Sequence, residues 1–538
     1  MNRSATRRTI VNDSLERFRR HAATARAEGA PRLVPVWRDT LLDTETPVSA
    51  FAKVRTGPFA FLLESAPAGG ETWSRYTFLG SAPRAAWRLS DGVVHDWNPS
   101  RGWHSARRPP DPLADLERLL RETPPLDVPE IGAFWSGAIG YFSYDVVRLI
   151  ERLPNGPPAG VIAPDALFVF TSALIIIDNL RAQARVVTGV AITPGTSDDE
   201  LEPLHDGALR EIDETIARLH GPGAVAPFEI DWPPAAPPAE GTSSYTRDRF
   251  MADVQRIREY IVAGDAFQVL LARRISLAHD FDSTSLYRAL RVINPSPYMY
   301  HLVLDGVELV GSSPELLVRS DGGTVTVRPI AGTRRRGRTA DEDAEMAAEL
   351  ASDQKERAEH VMLLDLGRND VGRVARYGSV RVSDLMAVER YSHVLHLVSQ
   401  VEGDLRPGLT AMDALRATFP AGTMTGAPKV RAMEIIDELE PERRGPYAGA
   451  VGYIAGGAQR MDLAITIRTC VMAGGVASVQ AGAGIVHDSV PELEWKETEN
   501  KARAMLMAIG AARAAAGDAR AAEAGHIPVI DAIHAHEH

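Results

Sequence analysis

Two acidic segments of the chain carry carboxylates at helical spacing. DQKERAEH places Glu356 and Glu359 three residues apart with His360 next, and PELEWKETENK places Glu494 and Glu497 three apart. Residues at i and i+3 share a helix face, so each segment presents two carboxylates in one direction. Where two such faces meet, they make an oxygen-rich site suited to a hard cation such as Mg²⁺, held by one or two carboxylates plus substrate oxygens. The plain alternative is a pair of solvated Glu–Lys helices. Against it, the first pair runs into the apolar HVMLLDL, which buries that helix. Three further features could hold anions. In FPAGTMTGAPKVRAMEII a glycine-rich loop enters a helix with Pro428 near its first position and Lys429 and Arg431 in the first turn, where free amides attract anions. The GxxxxGK[ST] spacing of a Walker A loop is absent. In VQAGAGIV a strand opens into Gly482, Ala483 and Gly484, small enough for a ligand to reach the amides or for tight strand packing. Arg468 stands alone in apolar LAITIRT and needs a carboxylate, from the protein or from a ligand. A divalent-cation site, a forked cation and backbone anion sites together suit a small substrate with two carboxylates.

The elements that must position these groups lie in a chain of 538 residues, too long for one hydrophobic core. Hydrophobic residues make up 45% and charged ones 24%, an ordinary globular balance that excludes a disordered or collagen-like chain. Lys plus Arg is 59 and Asp plus Glu is 71, so the net charge of −12 argues against general nucleic-acid or membrane-surface binding. Cys470 is the single cysteine, which excludes an intrachain disulfide and fits a reducing cytoplasm. The most apolar run, Leu167 to Ile177, is eleven residues, short of the roughly 20 a membrane helix needs. It reads as one buried strand turning at Asp178-Asn179 into a second near Ala184 to Ile192.

An Arg-rich extension (1–30), frayed or helical at the surface, precedes a strand-rich N-terminal domain (31–220). A proline-rich linker (221–244) follows, then a second domain (245–510) and an Ala-rich tail (511–538) ending in His534, His536 and His538, which reads as solvated rather than metal-binding. Helical spacing marks Pro112 to Glu122, Asp199 to Leu219, Thr246 to Ala263, one long helix over Asp341 to Leu366, and about Pro491 to Gly510. Strands read at Phe59 to Ser65, Tyr76 to Ser81, Ala133 to Ser143, Gln268 to Ser276, Tyr298 to Leu304, Ala448 to Ala455 and Ala464 to Met472. Strand and helix mix without regular alternation, so the fold class is α+β.

PIAGTRRRGR, DQKERAEHVMLLDLGRNDVGRV, MTGAPKVRAMEIIDELEP, GAVGYIAGGAQRMDLAITIRT and VQAGAGIVHDSVPELEWKETENKA closely resemble the chorismate-utilising enzymes, in order over roughly Thr246 to Gly510. LLESA (Leu62 to Ala66) and NPSPYMY (Asn294 to Tyr300) further resemble the component I family of anthranilate synthases. The resemblance implies layered antiparallel sheets with helices, the two halves packed together. It implies a cytoplasmic lyase that converts chorismate and ammonia through aminodeoxyisochorismate to anthranilate and pyruvate, opening tryptophan biosynthesis. Mg²⁺ would sit on Glu359 and Glu497, with Glu356 and Glu494 as further metal or acid–base groups. Gly332, Thr333, Tyr453, Arg468 and the Gly482–Ala483–Gly484 backbone would hold substrate. Lys501 would add a cation, and His396 would serve the elimination of pyruvate. L-Tryptophan would inhibit from a site holding Glu64, Ser65, Pro297, Tyr298 and Met299.

Two positions discriminate within the superfamily. PIAGT has Ala331 where aminodeoxychorismate synthases often carry a nucleophilic lysine. GDAFQVLLARR has Gln268 where isochorismate and salicylate synthases carry a lysine base. Alanine forms no adduct and an amide is no base, so ammonia is the favoured nucleophile. Cys470 is outside a glutaminase context, so ammonia would come from a glutamine amidotransferase subunit in a hetero-oligomer. The alternatives are an aminodeoxyisochorismate or aminodeoxychorismate synthase, or a non-catalytic chorismate- or tryptophan-binding regulator.

Overall fold

The computed structural model describes residues 3–65, 75–223, 225, 228, 237–390 and 394–525. Much of the proline-rich linker, Ala66, residues 391–393 and the terminal histidines lie outside them.

The described residues form two antiparallel sheets of twelve strands each, flanked by helices. Both sheets run across the linker. In the first, Phe59–Glu64 pairs with Tyr298–Leu304, setting Glu64 opposite Met299. In the second, Gly137–Phe142 pairs with Ala450–Ala455, setting Gly140 opposite Gly452. One core fills the space between the sheets, and separate cores lie under the helices on each outer face. Strand residues alternate between them. Phe59 and Phe61 enter the inter-sheet core while Ala60 and Leu62 enter the outer one. A strand buried on both faces is apolar throughout, which is why FAFLL lacks alternation. Burying each such phenylalanine stabilises the fold by about 1.5–3 kcal/mol.

Several elements match the sequence reading closely, including Tyr76–Ser81, Pro112–Glu122, Tyr298–Leu304 and Arg247–Val262 with Thr246 as its N-cap. Others differ. Leu167 to Ile177 is not one strand but two. Ala166–Phe170 belongs to the second sheet and Leu174–Asp178 to the first. The chain crosses at its polar residues, where the Thr171 hydroxyl accepts from the Gly137 amide (3.2 Å) and the Ser172 hydroxyl donates to Glu211 (2.6 Å). The long helix over 341–366 is two helices, Ala340–Ser352 and Gln354–Gly372, because Asp353 leaves helical geometry. Its Oδ1 accepts from the Lys355 and Glu356 amides at 2.9 and 3.2 Å, capping the second helix. The N-terminal extension is helical over Arg3–Ala27, but Phe18, Ala22 and Ala25 are buried in the outer core, so it is not merely a surface helix. The closing helix extends to Gly525.

Candidate active site

Glu356 and Glu359 lie on the Gln354–Gly372 helix and Glu494 and Glu497 on the Pro491–Gly525 helix, all half-buried. The faces meet. The Glu359 carboxyl is pushed above its ordinary range by burial first, then by the charges of Glu356 and Glu497. Burial likewise raises Glu494, and Glu497 adds to it. The flanking cations are already engaged. Arg334 Nη1 reaches Glu356 Oε1 at 3.2 Å and Arg334 Nη2 reaches Asp353 Oδ2 at 2.7 Å. Lys501 Nζ bridges Glu497 Oε1 (2.7 Å) and the Gly482 carbonyl (3.1 Å), drawing the closing helix onto its neighbouring strand. Among the described residues no three His, Cys, Asp or Glu side chains converge as a metal cage. The donor set still fits Mg²⁺, which takes one or two carboxylates and keeps its other positions for water and substrate oxygen. The mutual repulsion that raises Glu359 is the field a cation would relieve.

Gly332, Thr333 and His396 meet across one strand pair, Ile330–Arg335 against Val394–Asp404, with a register shift between Ala331 and Thr333. Gly332 sits in that irregularity at φ +61, and a Cβ there would stand 2.8 Å from Leu350 and 3.1 Å from Glu356 Oε2. Only glycine allows both the backbone conformation and the approach of Glu356. The Gly332 carbonyl lies 2.9 Å from His396 Nδ1, and the Thr333 hydroxyl 3.2 Å from it. A carbonyl only accepts, so Nδ1 carries the proton and Nε2 is the basic nitrogen. Burial lowers the His396 pKa against the opposing Gly332 hydrogen bond, with Arg468 adding, which favours the neutral ring.

Arg468 is not within a strand. It lies in the break between Met461–Ile465 and Thr469–Ala473 at φ +51. A non-glycine residue there costs about 1–3 kcal/mol, a strain that tends to persist at functional sites. Among the described residues no hydrogen bond or ion pair engages its guanidinium, whose pKa burial lowers and the Glu315 charge raises. A half-buried fork that no described carboxylate engages is suited to receive one.

Glu315 was not foreseen from the sequence. It is buried, accepts from the Thr423 hydroxyl at 3.0 Å, and is pushed up to about 7 by burial, with Thr423, Lys501 and Arg468 pulling the other way. Its signal in the sequence is the same as that of Arg468, a lone charge between apolar strands. Arg334, inside the quoted PIAGTRRRGR, was also missed.

Other expectations change. Tyr453 does not join this site. Its ring stacks on Phe134 (centroids 4.0 Å apart) in a separate cavity of about 650 Å³. The tyrosine on the carboxylate side is Tyr447, whose phenol burial raises and on which the Glu497 charge acts. Gly482, Ala483 and Gly484 do not leave the strand. They pair with Ala272, Leu271 and Leu270 on one edge, while pairing on the other edge ends at Val479. Gln268 is buried against Gly484 with its Oε1 unbonded. Lys429 and Arg431 do not form an anion site, because Lys429 Nζ pairs with Asp370 (2.7 Å) and Arg431 with Asp265 and Glu434 (3.0 Å each).

The separate cavity lies between the sheets, where Ser65, Pro297, Tyr298 and Met299 come together. Glu64 also borders it, but its carboxylate is held by Arg291 (2.7 Å) and the Tyr287 hydroxyl (2.9 Å). Cys470 is buried and its thiol pushed up to about 12 by that burial, which leaves it inert.

The fold and its carboxylate-lined site define a class. Residues 60–507 match the family described as chorismate binding enzyme. Anthranilate synthase component 1 of Aquifex aeolicus (strain VF5) is 45% identical over 89% of this chain and 94% of its own length, and that of Pseudomonas putida 46% identical over 89% and 96%. The crystal structure of anthranilate synthase component I from Streptococcus pneumoniae TIGR4 superposes with a TM-score of 0.70 at 34% identity, over 87% of this chain and 99% of that one. A menaquinone-specific isochorismate synthase of Escherichia coli, 19% identical with a TM-score of 0.64 over 93% and 99%, shares the fold. This chain belongs to the anthranilate synthase component 1 family, and it is an enzyme. Among the described residues no helix is long and apolar enough to cross a membrane.

Proposed function

We propose that this chain is the cytoplasmic, Mg²⁺-dependent large subunit of an anthranilate synthase. It converts chorismate and ammonia to anthranilate and pyruvate, draws ammonia from a glutamine amidotransferase partner, and is inhibited by tryptophan. The observation that supports the chemistry is the Arg468 guanidinium, which no described residue engages, within the charge influence of Glu315, a buried carboxyl at about 7. Arg468 binds a substrate carboxylate, and the edge of Gly482–Gly484 beyond the end of that pairing is open to the substrate. Mg²⁺ on Glu359 and Glu497 would neutralise the ring carboxylate and steady its orientation.

Ammonia's lone pair forms the N–C2 bond, the two ring double bonds move from C1=C2 and C5=C6 to C1=C6 and C4=C5, and the C4–O bond breaks. Hydroxide leaves poorly, so Glu315 gives its proton to the departing oxygen, which leaves as water. One proton from the new ammonium group then restores the Glu315 carboxyl. In the second step neutral His396 Nε2 takes the C2 proton, the C3–O bond breaks, and enolpyruvate departs and takes up a proton as pyruvate. The ring becomes aromatic. Ala331 and Gln268 supply neither a covalent nucleophile nor a water-activating base, which favours ammonia. The aromatic stack of Phe134 and Tyr453 beside Ser65 and Pro297–Met299 supports an aromatic effector in the separate cavity.

The test is a fluorescence assay of the full chain with chorismate, Mg²⁺ and ammonium, with and without tryptophan, the products identified by mass. Anthranilate that disappears on adding tryptophan is the expected result. Aminodeoxyisochorismate alone, or bound chorismate without turnover, overturns the reading. Glutamine should replace ammonium only when the amidotransferase subunit is added.

A further inference from the structure

Three neighbouring strands of the second sheet join the two sites. Leu316–Asp321, Met461–Ile465 and Ala450–Ala455 lie side by side. Each lines the cavity along much of its length, with Arg319, Asp462 and Tyr453 side by side toward one end. Each leads at the other end to a residue of the active site. Glu315 immediately precedes the first strand, Arg468 lies three residues past the second, and Tyr447 three before the third. Arg319 lies four residue steps from Glu315, about 13 Å along an extended chain. The active-site ends are tied by backbone bonds, from the Ile465 amide to the Glu315 carbonyl (3.0 Å) and from the Ala448 amide to the Thr466 carbonyl (2.9 Å).

The cavity ends are tied by side chains. Arg319 Nε and Nη2 grip Asp462 Oδ2 at 2.9 and 2.8 Å, and Nη2 also donates to the Tyr298 hydroxyl at 3.2 Å. Asp462 Oδ1 is buried and accepts no hydrogen bond among the described residues. Tyr453 is drawn close at this level because its neighbour is Gly452, at φ +151, where a Cβ would stand 2.2 Å from the Asp462 carbonyl. The grip is therefore a half-buried pair on the wall of a cavity, several residues along strands that lead to the residues of the chemistry. Strands packed on both faces shift as units between discrete arrangements rather than deforming locally.

We infer that Arg319 and Asp462 are positioning residues, and that an occupant of the cavity acts on Glu315 and Arg468 by loosening or tightening this pair. The inference rests on the reading of the cavity as the tryptophan site. Binding energy that differs between the two arrangements appears as a reciprocal coupling, each ligand changing the other's affinity by the same factor, about 5- to 150-fold.

The experiment measures chorismate affinity of the full chain by calorimetry, without ammonium so that no turnover occurs, with and without saturating tryptophan. Tryptophan affinity is measured with and without chorismate. It is run on the wild-type chain, on Asp462→Asn, which keeps shape and removes charge, and on Arg319→Lys, which keeps charge and removes the fork. The expected result is a coupling factor near one in Asp462→Asn and an intermediate factor in Arg319→Lys, while both variants still bind tryptophan within about threefold of the wild type. Full coupling in Asp462→Asn, or in Arg319→Lys should Asp462→Asn fail to fold, overturns the inference. Loss of tryptophan binding in both variants also overturns it, making the pair a ligand rather than a joint. A wild-type chain that binds no tryptophan overturns the cavity reading itself, an outcome separable from the others because it appears before any substitution.

Discussion

Glu315→Gln separates catalysis from stability. In the wild type the carboxyl moves from an ordinary 4.5 to about 7. Its acid form is thus half populated near neutrality and falls to about one tenth at pH 8. If that proton goes to the departing C4 hydroxyl, turnover at constant free ammonia declines about tenfold per pH unit above 7. Glutamine preserves the acceptor for Thr423 but has no proton to give. Turnover should drop by about 10²- to 10⁴-fold, and the limb near pH 7 should vanish. Stability runs the other way. Between pH 4.5 and 7 the unfolded carboxyl has released its proton while the folded one retains it, so the wild type loses stability as pH rises through that window. The stability is fully present below about 4.5 and gone above about 7. At about 1.4 kcal/mol per pH unit this amounts to about 3 kcal/mol, of which the glutamine variant loses nothing. Urea denaturation at pH 5 and pH 8 should show the variant gaining on the wild type by about that amount while its anthranilate assay stays silent. A stability difference that does not grow with pH would refute the protonated, buried carboxyl, and a variant with full turnover would refute its role as acid.

Glu359→Gln and Glu497→Ala should each reduce turnover to background at any Mg²⁺ concentration, and retained activity in either would place the cation elsewhere. His396→Met should slow pyruvate release by about 10²- to 10⁴-fold and accumulate aminodeoxyisochorismate, seen by mass; unaltered anthranilate production would remove His396 from the elimination. Ser65→Phe overfills the cavity at a cost of about 1–3 kcal/mol, so the tryptophan concentration for half-inhibition should rise about tenfold or more. Unchanged inhibition would move the effector away from Ser65.

Local elements were legible where their signals are local. Thr246 caps a helix whose apolar residues recur at steps of four, three and four, and Gly264 follows its end; spacing within one turn decides such a helix. The carboxylate pairs were visible for the same reason, since i and i+3 share a face in any helix. Short-range signals that were present but overlooked include Asp353, an N-cap inside an apparently continuous helix, and Thr171-Ser172, the polar step by which the chain leaves one sheet for the other.

The sequence by itself determined that Glu356 with Glu359, and Glu494 with Glu497, would each point one way, that Arg468 would need a carboxylate, and that the chain is α+β. Tertiary structure alone decided which groups meet. Tyr453 and Tyr447 are six residues apart in one apolar stretch, yet one stacks on Phe134 in the cavity between the sheets and the other lies within the field of Glu497. Lys429 and Arg431, free cations in the sequence, are neutralised by Asp370 and Asp265 from distant segments. Glu315 is an ordinary glutamate until two sheets and the Thr423 loop close over it. Burial and the sum of surrounding charges are properties of the folded whole, and they, not residue type, set the pKa on which the chemistry depends.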